Sequence, residues 1–381
     1  MRTMMDRDNV QQFVNAVAAT ELLPLSSEPH NGRIYSYGGI LPGSGEPAVL
    51  ELPRGIHWLN DMSPAEFEAC SSRLYVRPAY QVLLLLAMAF VDHPEAPHHR
   101  VVITGSSGTG KTSFINWMLR HLRRFDKPPV IVLEMAGFFG CIASDGTVTA
   151  GVRGSSFQQE LASRSTVYLC DATWTEDIEY DGSEIRARTI VMSPPMHAVT
   201  SRSTADTMRT LVLVMPLWTM AELETCRSTC YLRIVSQETL LELYQLWGGV
   251  VRWTLGTSKQ ESRHEFVRSL ESVSFTSMIR IVRNGGLVQL HELDCNDSAA
   301  EITIGARLVH MHVDSDSTFQ HCGAAVCSPL ACSLLIGASS EQLRNAEDFV
   351  GRMEHHVDPT NMDIFRHQVQ QVLFDRALDT P

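Results

Sequence analysis

The sequence predicts a mixed α/β fold that contains a five-stranded parallel β-sheet. Short, nearly continuous apolar runs alternate with helical or loop segments, which is typical of parallel strands covered by helices on both faces. The second observation is a glycine-rich run between the first apolar run and a predicted helix, since strand, glycine-rich loop and helix in this order form a recurring α/β unit. The predicted strands are residues 101–104, 130–134, 167–170, 189–192 and 211–215.

The glycine-rich run reads GSSGTGKT and matches the phosphate-binding pattern G-x-x-x-x-G-K-T. Its glycines permit positive φ and let backbone N–H groups approach and wrap the phosphates of a nucleotide. Lys111 supplies a cation to the β and γ phosphates, and Thr112 supplies a hydroxyl to Mg²⁺. A plain Gly/Ser turn between two core elements would not need the lysine. The predicted nucleotide-binding residues are Gly105, Ser106, Ser107, Gly108, Thr109, Gly110, Lys111, Thr112 and Ser113.

Polar residues also follow later predicted strands, at the edge where parallel sheets bind their ligands. Asp171 ends the third strand and is expected to hold the Mg²⁺ shell through water, the alternative being an aspartate that only forms a turn. Ser193 follows the fourth strand and is a predicted nucleotide-binding residue, either a sensor of the γ phosphate or the start of an ordinary loop. After the fifth strand, Thr219 and Glu222 predict a capping box, and Trp218 is interpreted as a packing residue.

Arg252 follows closely after a predicted helix that two glycines end. In many nucleotide switches an arginine from a helical lid reaches the γ phosphate and reports its presence. Arg252 is therefore a candidate sensor, and the alternative is an arginine that forms a salt bridge on the surface of the lid.

The net charge of −12 argues against nonspecific nucleic-acid binding by the whole chain, because the phosphate backbone attracts basic surfaces. One local exception is a basic cluster at the end of the helix that follows the glycine-rich run. It is expected to be a solvated cap of the helix C-terminus rather than a nucleic-acid contact. Its members are Arg120, His121, Arg123, Arg124 and Lys127.

Nine cysteines have no paired spacing that suggests a disulfide framework or a zinc module. Cys226 and Cys230 could share a helix face, and His310 and His312 could share a strand face, but nothing links the two pairs. The sequence therefore predicts a reducing compartment and no bound metal other than the Mg²⁺ of a nucleotide.

No segment has the features of a signal peptide or a membrane span. The N-terminus lacks an apolar core, and the longest apolar run, residues 82–91, is far shorter than the roughly 20 residues that cross a bilayer. A hydrophobic fraction of 44% is enough for a real core. The expected protein is soluble and intracellular, without a membrane partner.

The 381 residues are enough for two or three domains. Two helices are predicted before the sheet, one starting near Ser63 and one at residues 78–90. The expected regions are an N-terminal leader and helical region (1–97), a P-loop NTPase domain (98–256), a helical lid with mixed α+β structure (257–352) and a C-terminal helix (353–381).

Several strings resemble, in order and spacing, the NTPase domain of the crinkler effectors of oomycetes and fungi and of the retrotransposon hot spot proteins of trypanosomatids. The strings are GSSGTGKT, VYLCDA, TIVMSPP, VMPLWTMAELETC and LYQLWGGVVRW, and the likeness covers roughly residues 73–375. The MP-x-W-T-x-x-E-L segment and the aromatic-GG-x-x-R segment are the most distinctive. The resemblance implies a P-loop NTPase of the additional-strand type, related to the ATPase switches of immune receptors, with ATP preferred over GTP.

The sequence departs from this family's pattern at both ends. The opening MRTMMDRDNV carries no LFLAK-like translocation motif, which crinklers usually have. Residues 361–378 look like the opening helix of the nuclease-like domain of larger relatives, but the chain stops at Pro381 before a carboxylate–lysine strand. Nuclease activity is therefore not expected, because the cations that phosphodiester cleavage needs would lack ligands.

A third departure concerns hydrolysis. ATPases of this class often place a water-activating glutamate directly after the aspartate, where this chain has Ala172, although relatives often lack it too. Glu134 ends the second predicted strand, and Glu176 lies in the loop after Asp171. These two glutamates are the candidate substitutes, because both could lie near the γ phosphate.

The leading hypothesis is an ATP-binding switch or slow ATPase that uses ATP and Mg²⁺, with Lys111, Asp171, Glu134 and Arg252 as the catalytic residues. The resemblance implies a secreted effector with a host protein or DNA-associated partner in the host nucleus, and an oligomer is compatible with the sequence. One alternative is a degenerate, non-enzymatic interaction protein. Another is a small-molecule or nucleotide kinase whose second pocket is lined by Arg186, Arg188, Arg202 and Arg209.

Overall fold

The computed structural model describes residues 7–25, 47–54, 56, 58–59, 72–93, 100–172, 185–194, 210–272, 281–282, 306–313, 319 and 321–337. Five of the sequence-based expectations lie outside these residues. They concern the helix near Ser63, the candidate base Glu176, Arg202, Arg209 and the region 353–381.

In the N-terminal part, the described residues form two helices and a three-stranded antiparallel sheet. Its elements are α1 (Arg7–Ala19), β1 (Leu22–Pro24), β2 (Ala48–Glu51), β3 (Arg73–Val76) and α2 (Pro78–Val91), and the strands lie in the order β1–β2–β3. The helix predicted at 78–90 is confirmed, and it begins with proline, whose missing N–H would have no helical partner at that position. Tyr80, Leu83 and Ala87 of α2 are buried in the main core.

A large, mostly parallel sheet forms the centre of the protein. The elements of this part are β4 (Arg100–Thr104), α3 (Lys111–Arg123), β5 (Ile131–Met135), β6 (Phe138–Ile142), β7 (Val148–Ala150), α4 (Gln158–Leu161), β8 (Val167–Asp171), β9 (Arg188–Met192) and β10 (Thr210–Val214). The strand order is β10–β4–β9–β8–β5–β6–β7, and the first five strands are mutually parallel. All five predicted strands are therefore present, each within one residue of its predicted ends.

The prediction of a purely parallel, five-stranded sheet is wrong at one edge, where β6 and β7 add two antiparallel strands. The turn between β5 and β6 is formed by Ala136 and Gly137, with φ of 51° and 81°. Two consecutive residues with positive φ are typical of a tight hairpin turn, but Ala-Gly is a much weaker signal for it than Asn-Gly. The hairpin therefore left little trace in the sequence.

The central strands are buried on both faces, which explains their continuous apolar runs. Ile103, Leu133 and Leu169 lie on one face, in the same core cluster as Phe114 and Met118 of α3. Because side chains alternate along a strand, the neighbouring residues point to the opposite face. That face carries a second cluster, which includes Val102, Val132, Tyr168 and Cys170.

The C-terminal part combines helices with a β-hairpin. Its elements are α5 (Met220–Cys226), a π-helical turn (Arg227–Tyr231), α6 (Gln237–Trp247), α7 (Val251–Thr254), α8 (Lys259–Glu271), a 3₁₀ turn (Ala306–Leu308), β11 (Val309–Val313), β12 (His321–Val326) and α9 (Pro329–Gly337). The predicted capping box of Thr219 and Glu222 is confirmed at the start of α5. Trp247, Phe266 and Val309 share one core, so the hairpin packs with α6 and α8.

The basic cluster at the end of α3 is only in part the solvated cap that was predicted, since Arg124 and Lys127 are exposed but Arg120 is not. Arg120 is buried, and its Nε donates a hydrogen bond of 3.0 Å to the carbonyl of Thr20, just after α1. Arg124 donates to the same carbonyl, and Arg123 donates to the carbonyl of Ala143. These arginines join α3 to segments before and after it in the chain. Among the described residues, no helix is long and apolar enough to span a membrane.

Candidate functional site

The glycine-rich loop, residues 105–110, connects the end of β4 to the start of α3 at the carboxyl edge of the parallel strands. Gly105 and Gly110 have φ of 138° and 101°, values that other residues rarely adopt. A methyl group at Gly105 would lie 2.8 Å from the carbonyl oxygen of Met215, and one at Gly110 would clash with the hydroxyl of Tyr80. Glycine is therefore required at both ends of the loop by backbone conformation and by space.

Lys111 is buried and points back into the glycine-rich loop. Its Nζ donates hydrogen bonds of 2.7 and 2.9 Å to the carbonyls of Gly105 and Ser106. The pKa of Lys111 is lowered to about 7, mainly by burial and also by the nearby Arg252, while Asp171 opposes the shift. A bound anion would favour the ammonium form, so this side chain couples anion binding to protonation.

Thr112, in the first turn of α3, lies next to Asp171 at the end of β8. The Thr112 hydroxyl donates a 2.6 Å hydrogen bond to Oδ2 of Asp171, and Asp171 is completely buried. Mg²⁺ in nucleotide sites is typically held by one or two protein oxygens together with phosphates. A hydroxyl and a carboxylate at this spacing fit such an ion.

Backbone N–H groups around the loop are available for an anion. Within the part of the chain that the structure describes, no backbone hydrogen bond between loop residues and other segments uses an N–H of residues 106–110 as donor. The first N–H groups of α3 also have no partner one turn earlier, and they lie at the positive end of a 13-residue helix. Such a concentration of donors is suited to a phosphate group.

The hydroxyl groups of three predicted binding residues lie within reach of other groups of the protein. Oγ of Ser106 accepts a 2.9 Å hydrogen bond from the N–H of Met311 in β11, and Oγ1 of Thr109 donates to the carbonyl of Ser106. Ser107 is exposed, and its Oγ lies 3.5 Å from a guanidinium nitrogen of Arg252. Any contribution of Ser106 and Thr109 to anion binding would therefore come from their backbone.

Arg252 lies directly against the glycine-rich loop, in the short helix α7. Its backbone N–H donates a 3.2 Å hydrogen bond to the carbonyl of Gly108, and its side chain is exposed beside Ser107. Desolvation and the neighbouring Arg307 lower the pKa of Arg252, while Asp171 raises it. Arg307 was missed in the sequence because it lies outside any motif. Its guanidinium pairs with Glu265 at 2.5 Å.

Ser193 lies beside the loop and is buried directly after β9. Its N–H donates a 2.9 Å hydrogen bond to the carbonyl of Ile103 near the end of β4, and its Oγ lies 3.0 Å from the carbonyl of Pro194. The fold therefore puts this hydroxyl at the same edge of the sheet as Asp171.

Glu134 lies on the opposite face of the sheet from Asp171. It pairs in register with Cys170, and adjacent strand residues point to opposite faces. Its carboxylate accepts a 2.5 Å hydrogen bond from the Tyr168 hydroxyl and forms an ion pair of 3.3 Å with Arg153. The structure thus separates Glu134 from the Thr112–Asp171 pair and gives it two partners.

Arg188 lies at the start of β9, the end of the strand opposite to Ser193. Its guanidinium pairs with Asp92 at 2.8 Å and donates to the carbonyl of Ser165. The structure therefore does not bring Arg188 to the glycine-rich loop.

Among the described residues, no group of three or more His, Cys, Asp or Glu side chains could hold a metal ion. Cys226 and Cys230 are both buried and free of disulfides. No protein-family model matches the chain, and no curated protein is similar to it at a significant level.

Proposed function

We propose that this protein is a P-loop NTPase that binds Mg-ATP at the glycine-rich loop and acts as a nucleotide switch or slow ATPase. The observation that carries the proposal is the 2.6 Å hydrogen bond between Thr112 and Asp171. In P-loop proteins the hydroxyl after the lysine binds Mg²⁺, and a strand-ending aspartate supports the same ion. Two residues 59 positions apart in the chain thus meet where that ion would bind.

The strand order supports the same proposal. Strand β9 lies between β4, which leads into the loop, and β8, which ends at Asp171. An inserted strand at this place fits a P-loop NTPase of the additional-strand type, the class that the resemblance of the motif strings to crinklers and retrotransposon hot spot proteins also implies. We extend the proposal to a host nuclear or DNA-associated partner on that resemblance.

Each residue near the loop has a distinct role in this proposal. The ammonium of Lys111 exchanges the carbonyls of Gly105 and Ser106 for the β and γ phosphates, and the backbone N–H groups of the loop orient the phosphate chain. Thr112 and Asp171 hold Mg²⁺, which neutralises charge on the phosphate oxygens. The exposed guanidinium of Arg252 senses the γ phosphate.

Slow turnover is proposed from the two candidate positions for a base that lie among the described residues, Ala172 and Glu134. Ala172, directly after Asp171, cannot accept a proton, and the carboxylate of Glu134 is held by Tyr168 and Arg153 on the other face of the sheet. A positioned general base contributes about 10²–10⁴-fold to a rate. Without one, ATP remains bound long enough to act as a signal.

The switch arises because α7 touches the loop directly. The N–H of Arg252 is bonded to the carbonyl of Gly108, and a methyl group at Gly108 would lie only 2.7 Å from Cβ of Arg252. Any change of the loop on binding phosphate is therefore transmitted to α7 and to the helices and hairpin that pack with it. Among the described residues, Arg188 does not support the kinase alternative, since it pairs with Asp92 away from the loop; Arg202 and Arg209 lie outside them.

The test combines binding with turnover on one purified sample. We expect wild-type protein to bind Mg-ATP by calorimetry, to release phosphate slowly, and to transfer none to added nucleosides or small alcohols. Lys111→Ala should abolish binding. Phosphate transfer to an acceptor would support a kinase instead, and absence of binding by the wild type would contradict the proposal and favour the non-enzymatic alternative.

A further inference from the structure

The two most distinctive segments of the sequence meet each other beside the glycine-rich loop. The N–H of Trp218, in the MP-x-W-T segment, donates a 2.9 Å hydrogen bond to the carbonyl of Gly249, in the aromatic-GG segment. A methyl group at Gly249 would clash with the carbonyl oxygen of Trp218. The glycine is therefore needed for close approach of the two backbones, which places the indole ring against the loop.

Two buried aromatic side chains donate hydrogen bonds to consecutive carbonyls of the loop. Nε1 of Trp218 donates to the carbonyl of Thr109 at 2.9 Å, and the hydroxyl of Tyr80 donates to the carbonyl of Gly110 at 2.9 Å. Trp218 is 5% exposed and Tyr80 is 1% exposed. The hydrogen bond of Trp218 is buried and that of Tyr80 is partly buried, and neither aromatic residue belongs to the phosphate-binding motif.

These hydrogen bonds help to fix the direction of two backbone N–H groups. The carbonyl of Gly110 also accepts a 3.0 Å hydrogen bond from the N–H of Phe114 in α3, so Tyr80 adds a second constraint there. A trans peptide is planar, so its C=O and its N–H point in opposite directions. The carbonyl of Thr109 shares a peptide plane with the N–H of Gly110, and the carbonyl of Gly110 shares one with the N–H of Lys111. Holding both carbonyls on the side of Trp218 and Tyr80 turns both N–H groups to the other side of the loop.

Trp218 is itself held by a buried arginine. The Arg77 guanidinium carbon lies 4.5 Å from the centre of the Trp218 ring, and its nitrogens donate to the carbonyls of Pro216 and Leu217 at 2.9 and 2.8 Å. Arg77 is 1% exposed and also pairs with Glu222 at 3.0 Å. Glu222 in turn belongs to the capping box of α5, so the arginine that stacks on the indole is itself held by a carboxylate and two carbonyls.

We infer that Trp218 and Tyr80 are positioning residues for phosphate binding, which orient the N–H groups of Gly110 and Lys111 toward the phosphates. This inference rests on the proposed nucleotide function. It also assigns a role to the MP-x-W-T segment. Trp218 donates a hydrogen bond to the loop, and Thr219 and Glu222 cap α5. Glu222 also pairs with Arg77, which stacks on the Trp218 ring.

The test uses variants that keep the aromatic ring and remove only the donor. Trp218→Phe and Tyr80→Phe are compared with Trp247→Phe, a matched control that loses an equally buried bond of 3.1 Å from Nε1 of Trp247 to the carbonyl of Ser262. Dissociation constants for Mg-ADP and Mg-ATP are measured by calorimetry, together with the melting temperature of each nucleotide-free protein. Loss of one neutral hydrogen bond corresponds to about a two- to tenfold change in a dissociation constant.

We expect Trp218→Phe and Tyr80→Phe each to raise the dissociation constants for Mg-ADP and Mg-ATP by about three- to tenfold, because the affected N–H groups face phosphates that ADP and ATP share. Trp247→Phe should lower the melting temperature of the nucleotide-free protein about as much as the other two variants do. It should change the dissociation constants less than about twofold. Hydrogen exchange gives a second readout. Mg-ADP should protect the amides of Gly110 and Lys111 in the wild type and protect them less in either variant.

Wild-type affinity in both variants, or an equal loss in the Trp247→Phe control, would overturn the inference while leaving nucleotide binding intact. If the wild type binds neither nucleotide, the proposed function fails and the inference fails with it. If Trp218→Phe does not fold, Tyr80→Phe decides the question, since it removes a single oxygen atom.

Discussion

The hydroxyl of Thr112 donates a 2.6 Å hydrogen bond to the carboxylate of Asp171 and so joins the first turn of α3 to the end of β8. Strand β9 lies between β8 and β4, the strand from which the loop emerges. The contact therefore spans two strand spacings at the carboxyl edge of the sheet. It brings a hydroxyl, a buried carboxylate and the ammonium of Lys111 to one place.

The pKa of Lys111 predicts that nucleotide affinity depends on pH. Its folded-state pKa is about 7, lowered mainly by burial, so the neutral amine predominates in the free protein above that value. Phosphate binding requires the ammonium, and binding must then take up a proton. Affinity should fall by up to tenfold for each pH unit above about 7 until the pKa of the bound state is reached.

Calorimetry in buffers of different ionisation enthalpy measures this proton uptake directly. Lys111→Arg is the control, because a guanidinium stays protonated across the range. An affinity in the wild type that is constant between about pH 7 and 9, with no proton uptake, would contradict the assignment of Lys111 to the phosphates.

The same pKa has an effect on the stability of the nucleotide-free protein. The unfolded lysine has a pKa of 10.5 and the folded one about 7, so the unfolded state binds more protons between these values. The free energy of unfolding should therefore rise with pH across this window. Urea unfolding of wild type and Lys111→Met should show the extra slope in the wild type alone, and parallel curves would argue that the lysine is not desolvated.

Arg252→Ala should weaken the binding of ATP much more than the binding of ADP. If the exposed guanidinium reaches the γ phosphate, its loss should weaken ATP binding by about 1.5–3 kcal/mol, the range for a charged hydrogen bond, and leave ADP nearly unaffected. The backbone hydrogen bond from Arg252 to Gly108 remains in this variant. Arg268→Ala is the control, since that arginine is an exposed partner of Glu265. Equal losses for both nucleotides would make Arg252 a structural residue only.

Hydrolysis should be slow and should not depend on Glu134, which lies on the opposite face of the sheet from Asp171. If Glu176 is the base, Glu176→Gln should reduce phosphate release by at least about 10² while leaving binding unchanged, and Glu134→Gln should change neither. Phosphate-release assays on both variants test this. Brisk turnover that survives both substitutions would show that another group activates water.

The conformation of the glycine-rich loop can be tested by paired alanine substitutions. Gly110 and Gly154 have φ of 101° and 81°, but only at Gly110 would the added methyl meet another group, the Tyr80 hydroxyl. Gly154→Ala should cost about 1–2 kcal/mol from backbone strain alone. Gly110→Ala should cost more, as measured by urea unfolding, and Tyr80→Phe in the same chain should recover part of the difference. Equal costs at the two positions would argue against the close contact with Tyr80.

The apolar runs of the sequence predicted the parallel strands because these strands are buried on both faces. The hairpin strand β6 was missed, since its turn at Ala136 and Gly137 uses a dipeptide with little turn preference. Arg120 was interpreted from its position near a helix end, yet its partner is the carbonyl of Thr20, 100 residues earlier in the chain. No local rule carries that information.

The candidate site likewise contains residues that the sequence predicted and contacts that it did not. Lys111, Thr112 and Asp171 could be predicted because each has a fixed place relative to a strand end. Trp218 was interpreted as a packing residue and is buried, but its bond to Thr109 depends on the close approach of Gly249. The contact between Arg252 and Gly108 likewise depends on tertiary packing that a single sequence does not encode in any local pattern.

The thermal shift caused by Mg-ATP in wild type and in Lys111→Ala is the most direct test of nucleotide binding. At 100-fold excess over the dissociation constant, binding to the native state adds about 2.7 kcal/mol of stability. For a domain of this size the melting temperature should rise by roughly 5–10 °C in the wild type. We predict this shift in the wild type and its loss in Lys111→Ala, whereas an unchanged wild-type melting curve in saturating Mg-ATP would contradict nucleotide binding at the glycine-rich loop.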